Sequence, residues 1–272
     1  MPEAMASDRP IRLFAAGSLR DALTEVADAF TARSGHRIAA RYGPSGLLRD
    51  EIEAGAKADV FASANTSHPQ ALADAGRSGP VSIFARNRLC ALVRPGLDVT
   101  PATLLGRLLD PAIRLGTSTP QADPSGDYAF AVFARAEAVQ PGARAALEAK
   151  ALQLTGNAGS AAPPAGRNLY GWHVAQRRAD IFLTYRTNAL AAIRDYPGQQ
   201  IVSLPDALAV GADYGLAVMD GAPPEAYSFA AFVLSGEGQR ILAAHGFAAP
   251  HRSKETSHDE DQRAQSAQGQ DR

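Results

Sequence analysis

The feature that most constrains this chain is an apolar run that stops at a glycine, passes through a serine and opens an amphipathic helix. Ile11 to Ala16 reads as a buried strand and Gly17 as a tight turn. Ser18 stands where the helix opens, with Asp21 three positions on in a variant of the capping-box spacing. Leu19, Ala22, Leu23, Val26, Ala27 and Phe30 then recur at helical spacing and form one apolar face. Such a helix start leaves backbone N–H groups pointing outward, a place that binds anions without a basic side chain. The plainer reading of Ser18 is a helix cap and nothing more.

The arrangement recurs. Arg37 to Tyr42 reads as a strand, Gly43-Pro44-Ser45-Gly46 breaks it, and Leu47, Leu48 and Ile52 carry a helix that Gly55 ends. Val60 to Ser63 is a short strand, His68 to Gly76 a helix and Arg88 to Val93 a further strand. A second series begins with a helix at Thr100-Pro101, carrying Leu104, Leu105, Leu108 and Leu109. The strand Ile113 to Ser118, the turn Gln121 to Gly126 and a helix with Tyr128, Val132 and Phe133 follow. Next come a helix from Ala143 to Leu152, a loop from Gly156 to Gly166 and a helix around Trp172 to Arg178. Asp180 to Tyr185, Ile201 to Leu204 and Tyr214 to Met219 read as strands, with a short helix at Asn188 to Ile193. Helices Glu225 to Leu234 and Glu237 to His245 close the ordered part, and no internal repeat of short period is visible.

Alternation of this kind predicts an α/β fold of parallel βαβ units. We divide it into an extension (residues 1–10), a first lobe (11–86 and 213–250), an inserted second lobe (87–212) and a tail (251–272). The tail's polar and charged composition predicts disorder. A hydrophobic fraction of 46% in 272 residues supports a sizeable core, and a net charge of −1 supplies no basic excess for nucleic acid or a membrane surface. No apolar stretch reaches the ~20 residues that span a bilayer. Met1 to Pro10 holds no apolar leader core, so the sequence leaves open a cytoplasmic protein, a removed signal or one upstream. The single cysteine, Cys90, sits in an apolar run and reads as a core residue.

Ser18 and Ser45 close two strands of the first lobe. Ser125 follows a strand of the second lobe, within Asp123-Pro124-Ser125-Gly126-Asp127-Tyr128, and Tyr185 ends that lobe's last clear strand. Ligands of open α/β sheets sit at the carboxyl ends of strands, so these four hydroxyls are expected to face one cleft and hold an oxyanion by neutral donors. Catalysis is not expected: the turn around Ser45 lacks the second glycine of a nucleophile elbow. His36, His68, His173 and His245 are scattered, and His68 and His173 read as surface or satisfied residues. No metal-ligand spacing appears. Trp172 reads as a core or hinge residue, and Arg86, Arg88 and Arg94, like Arg177, Arg178 and Arg186, as solvated faces, with Arg186 adjacent to Tyr185.

Three segments carry a resemblance: Ala15-Ala16-Gly17-Ser18-Leu19, Gly43-Pro44-Ser45-Gly46-Leu47-Leu48, and Ile52 to Ala64. In that order they resemble the periplasmic molybdate-binding proteins of ABC transporters, over about Ile11 to Pro250. The resemblance implies a two-lobed type II periplasmic binding protein fold with the ligand cleft between the lobes. It implies a monomer that binds molybdate or tungstate in the periplasm, without a cofactor or metal, and presents it to an ABC transporter permease. It places the ligand on Ser18, Ser45, Ser125, Leu169 (through its backbone) and Tyr185. The chain departs from that pattern in its hydroxyl-poor Gly-Pro-Ser-Gly turn and in Asp123 and Asp127 beside Ser125, which repel a dianion. It departs again in a long loop, Gly156 to Asn168, that brings Arg167 near the cleft. The alternatives left open are a cytoplasmic ligand-sensing module and a protein of the same fold for a small organic anion.

Overall fold

A computed structural model describes residues 9–250. The expected tail, and all but the last two residues of the expected extension, lie outside them. The strands are β1 (Ile11–Ala16), β2 (Ile38–Gly43), β3 (Val60–Ser63), β4 (Ser82–Val93), β5 (Leu115–Ser118), β6 (Leu152–Thr155), β7 (Ile181–Tyr185), β8 (Gln200–Ser203) and β9 (Gly211–Val218). The helices are α1 (Arg20–Ser34), α2 (Ser45–Glu53), α3 (Ser67–Asp74), α4 (Leu104–Leu109), α5 (Pro124–Val139), α6 (Ala143–Lys150), α7 (Leu169–Ala175), α8 (Arg186–Asp195), α9 (Pro224–Leu234) and α10 (Gly236–Ala244).

Hydrogen bonding orders the strands β2-β1-β3-β9-β4-β7-β5-β6, with β8 also paired to β4. β1 is parallel to β2 and β3, and β9 runs antiparallel beside β3. The other half repeats this: β5 is parallel to β6 and β7, and β4 runs antiparallel beside β7. β4 joins the two, pairing with β9 through Ser82–Arg88 and with β7 through Leu89–Val93.

The sequence carries the same duplication at long range. Ile11-Arg12-Leu13 enters β1 as Ile113-Arg114-Leu115 enters β5, and Ala58-Asp59-Val60-Phe61 enters β3 as Ala179-Asp180-Ile181-Phe182 enters β7. In both halves the aspartate accepts from the arginine's backbone N–H and from its guanidinium: Arg12 N to Asp59 at 2.8 Å, Arg114 N to Asp180 at 2.9 Å.

Both sheet faces are covered, which is why the strands read as continuous apolar runs. Leu13, Ala15, Val60 and Ala62 pack with Leu19, Leu23, Val26 and Phe30 of the α1 side. Their alternate neighbours Phe14 and Phe61 pack with Leu48, Ile52 and Leu72 of α2 and α3. Cys90 is buried as expected.

Several boundaries differ from expectation: β4 starts at Ser82 rather than Arg88, α7 spans Leu169–Ala175 rather than Trp172 to Arg178, and two further differences have a visible cause. The helix assigned to Thr100-Pro101 starts only at Leu104, because Thr100 and Thr103 bond each other (Thr100 N to Thr103 Oγ1, 2.9 Å) and hold a turn first. The helix extended to Leu152 stops at Lys150, and Leu152–Thr155 adds to the sheet as β6 beside β5. The four-residue strand is too short to show its alternation against the helix formers before it.

Candidate functional site

The serine that opens the first βα unit is not a cap. Ser18 lies in a single 3-10 turn, Gly17–Leu19, and no side chain caps that turn or α1. The turn carries its hydroxyl sideways to Tyr214, with Ser18 Oγ 3.0 Å from Tyr214 Oη. Tyr214 Oη also accepts from Asn87 Nδ2 at 3.2 Å. Either hydroxyl can donate in the Ser18–Tyr214 bond, and where the phenol donates, the serine proton is left to point elsewhere.

Ser45 is the first residue of α2 and 1% exposed. Its Oγ accepts from Ala64 N at 3.1 Å, so its proton too is uncommitted by that bond. The first helical bond of α2 runs from Leu48 N to Pro44 O, so the amides of Ser45, Gly46 and Leu47 precede any carbonyl of their own helix. The Gly46 amide instead donates to Ala122 O, 2.9 Å away in the other half of the molecule.

Tyr185, at the end of β7, is fully buried and donates to Ala64 O at 3.2 Å. Ala64 therefore ties the two halves together: its N–H meets Ser45 and its carbonyl meets Tyr185. Leu169 opens α7 behind Asn168, whose side chain accepts from Gly171 N at 2.9 Å.

Ser18, Ser45, Leu169 and Tyr185 line one cavity of about 170 Å³. Ser125 does not. It is 0% exposed on the first turn of α5, its N–H donates to Asp123 Oδ1 at 3.0 Å, and its hydroxyl has no partner. Proline at the first helical position fixes that turn so that the capping aspartate, rather than the serine, faces the cavity.

Arg20, Thr155 and Tyr170 also line the wall and were missed by sequence reasoning; Asp123, read from the sequence only as a repelling neighbour of Ser125, lines it too. The signal for Asp123 was present, since Asp-Pro-Ser is a helix start in which aspartate is the better cap. Arg20 stands at the rim with its guanidinium 4.8 Å from the Tyr42 ring centre, so the cavity is not without a cation. Burial raises the Asp123 carboxyl to about 6, with Ser125 N and Ser118 pulling it down and Asp127 adding to the rise.

The cavity continues into an outer cleft of about 810 Å³ that shares Gly17, Ser18, Arg20, Leu169 and Tyr170. Arg167 lines this cleft, held by Asp195 at 3.0 Å and lying over the Tyr196 ring at 4.3 Å. Arg186 and Trp172 line neither space. His68 and His173 are not surface residues. Both are buried, and burial lowers each to about 4; His68 Nδ1 is satisfied by Arg49 Nη1 at 3.2 Å, whereas neither ring nitrogen of His173 has a partner. Among the described residues no group of three or more His, Cys, Asp or Glu is placed to hold a metal ion, and no helix is long and apolar enough to cross a membrane.

Known proteins share this architecture. The chain is 37% identical over 211 residues to an uncharacterized Pasteurella multocida protein, covering 76% of this chain and 86% of the relative. It is 27% identical over 265 residues to the molybdate-binding protein ModA of Mycobacterium tuberculosis, covering 89% and 85%. Among solved structures, the periplasmic molybdate-binding protein of Azotobacter vinelandii superposes with a TM-score of 0.72 at 19% identity, covering 89% of this chain and all of that one. The sulfate-binding protein SubI of Mycobacterium tuberculosis gives 0.72 at 20% identity, covering 88% and 86%. The fold is thus the two-lobed type II periplasmic binding protein fold expected from the sequence. The match to bacterial extracellular solute-binding proteins runs from residue 11 to residue 248, and the chain belongs to that family.

Proposed function

We propose that this protein captures a small tetrahedral oxyanion between its lobes in the periplasm and presents it to an ABC transporter permease. The observation that carries the reading is the convergence of Ser18 and Ser45 from one half with Leu169 and Tyr185 from the other on a single cavity of about 170 Å³. The lobes that close on the ligand are residues 11–86 with 213–250 and residues 87–212. Molybdate and tungstate are the ions favoured by likeness to molybdate-binding proteins over most of the chain. Tyr185 joins the ligand only by releasing Ala64 O, its present acceptor. Ligand contacts from both lobes favour the shut form over the open one.

Titration calorimetry of the purified chain with molybdate, tungstate, sulfate and phosphate tests the reading. Heat from at least one is expected, and four flat titrations overturn it. Ser45→Ala removes one hydroxyl donor and leaves the Ala64 amide unpaired. Binding weakens by roughly ten- to a hundredfold and unfolding stability falls by about 1 kcal/mol. A variant with wild-type affinity removes Ser45 from the site.

A second reading, a small organic anion, is favoured by the outer cleft of about 810 Å³, where Arg20, Arg167 and Arg194 stand. A carboxylate ligand depends on an arginine, so Arg167→Ala, which alters the outer cleft and not the inner cavity, separates the two by a loss of affinity that an oxyanion held in the inner cavity does not show.

A further inference from the structure

The cavity wall holds one group that is wrong for a bare dianion. We propose that Asp123 accepts a hydrogen bond from a protonated oxygen of the ligand, and thereby selects hydrogenphosphate-type oxyanions over sulfate, molybdate and tungstate. The proposal rests on the oxyanion reading above and names which oxyanion.

Asp123 is fixed rather than adaptable. Its Oδ1 takes the Ser125 amide as the cap of α5. Gly156 backs it so closely that a β-carbon there would lie 2.6 Å from Asp123 Cβ, and Gly156 has a φ of +89°. The carboxylate cannot swing out of the wall without uncapping the helix.

The groups around Asp123 do not cancel its charge. Asp127 of α5 is a second carboxylate, itself raised by burial and accepting from Gln121 N. Ser118 of β5, Thr155 of β6, Tyr170 of α7, Tyr185 of β7 and Tyr214 of β9 are neutral, and burial raises all three phenols. The one cation of the wall, Arg20, stands over the Tyr42 ring.

An ionised carboxylate only accepts. Sulfate, molybdate and tungstate carry no proton near neutral pH, so each sets bare oxygens against Asp123 in a poorly solvated site, where like charges repel strongly. Hydrogenphosphate keeps one proton through the neutral range and turns that repulsion into a charge-assisted O–H···O⁻ bond. The hydroxyls of Ser18 and Ser45 and the Ser45 amide remain for the unprotonated oxygens, the Gly46 amide being held by Ala122 O.

The pH dependence follows. An aprotic dianion binds only as Asp123 takes up a proton. With the free carboxyl at about 6, its affinity falls roughly tenfold per pH unit above that point. Hydrogenphosphate brings its own proton and escapes this loss.

The test is calorimetry of the full chain at pH 5.5 and pH 8 with inorganic phosphate, arsenate, sulfate and molybdate, on the wild type and Asp123→Asn. Asparagine still caps α5 through its amide oxygen, and a melting curve checks folding. Asp123→Ser, which also caps, serves as the second variant. At pH 8 the wild type is expected to hold phosphate and arsenate at least a hundredfold more tightly than sulfate or molybdate, within the range a site built for a ligand hydroxyl achieves. Both variants lose that preference and gain affinity for sulfate. Glycerol phosphate at pH 5.5, where the ester carries a proton, separates the two sources: binding tighter than inorganic phosphate assigns an ester with its organic part in the outer cleft, and weaker binding assigns the free ion. A wild type that binds sulfate or molybdate as tightly as phosphate at pH 8, or variants that keep the wild-type preference, overturn the proposal and leave the oxyanion reading standing. A wild type that binds no anion overturns both.

Discussion

Gly46→Ala is expected to weaken ligand binding by at least about a hundredfold while leaving the fold intact. A β-carbon at 46 would stand 2.8 Å from Ala122 O and 3.0 Å from Ala122 Cα, with Gln121 O closer still. These are backbone atoms of the facing half and cannot rotate aside. The start of α2 must therefore draw back from residues 121–122, which breaks the Gly46 N to Ala122 O bond and parts the wall carrying Ser45 from the wall carrying Asp123. Losing about 2.7 kcal/mol of closure is a hundredfold in affinity. The helix itself gains, since alanine is better than glycine in a helix by up to about 1 kcal/mol.

The contact bears a second mark of constraint. Gln121 sits at a φ of +67°, unusual for a residue with a side chain, and its N–H is held by Asp127 Oδ1 at 2.8 Å. Such a conformation persists where surrounding contacts over-determine it, and here the surroundings are the meeting of two lobes. Calorimetry with the tightest-binding anion, together with small-angle scattering with and without it, reads the effect. Wild-type affinity in Gly46→Ala, or compaction on ligand addition equal to the wild type, rejects this contact as the closing surface.

Local physics was legible in the sequence. The apolar run at Ile11–Ala16, the helical spacing from Leu19 to Phe30 and the Gly-Pro-Ser-Gly break all mark elements that the structure places within a residue or two. Their order gave the fold class. Side-chain direction was not legible. Ser18 and Ser125 each stand at a helix start, but a 3-10 turn swings the first toward Tyr214 and a proline-led turn buries the second behind Asp123. Nothing in the spacing distinguishes these outcomes, because they depend on which residue of the turn faces across the cleft. The duplication was missed for a different reason. Its matching parts are only three or four residues long and lie on opposite sides of the crossing strand β4, so they gain meaning only when the strand order is seen twice.

That duplication sets the last expectation: Asp180→Ala should cost about 3 kcal/mol of unfolding stability and flatten the acid limb of the stability profile. Asp180 has a side chain 5% exposed, and it accepts from Arg114 N at 2.9 Å, Arg114 Nε at 2.9 Å, Arg114 Nη2 at 3.0 Å and Arg94 Nε at 2.8 Å. Burial alone would raise its carboxyl. The Arg114 bonds and the Arg94 bond outweigh burial and hold it at about 2. A carboxyl depressed from 3.8 to about 2 contributes on the order of 2 kcal/mol at neutral pH, present above pH 4 and lost as the pH falls from 4 towards 2. Alanine removes this and leaves the Arg114 amide at the mouth of β5 and two guanidiniums without their acceptor. Asp59, held by Arg12 and Arg9 and likewise lowered, does the same for β1 and β3. The two aspartates share no partner, so their effects should add: the double variant loses the sum of the single losses, and each single variant keeps part of the acid-sensitive step. Urea unfolding at pH 7 and pH 3 measures both quantities. Wild-type stability in Asp180→Ala at pH 7, or an acid limb as steep as before, would show that these clamps decorate the strand entrances rather than hold them.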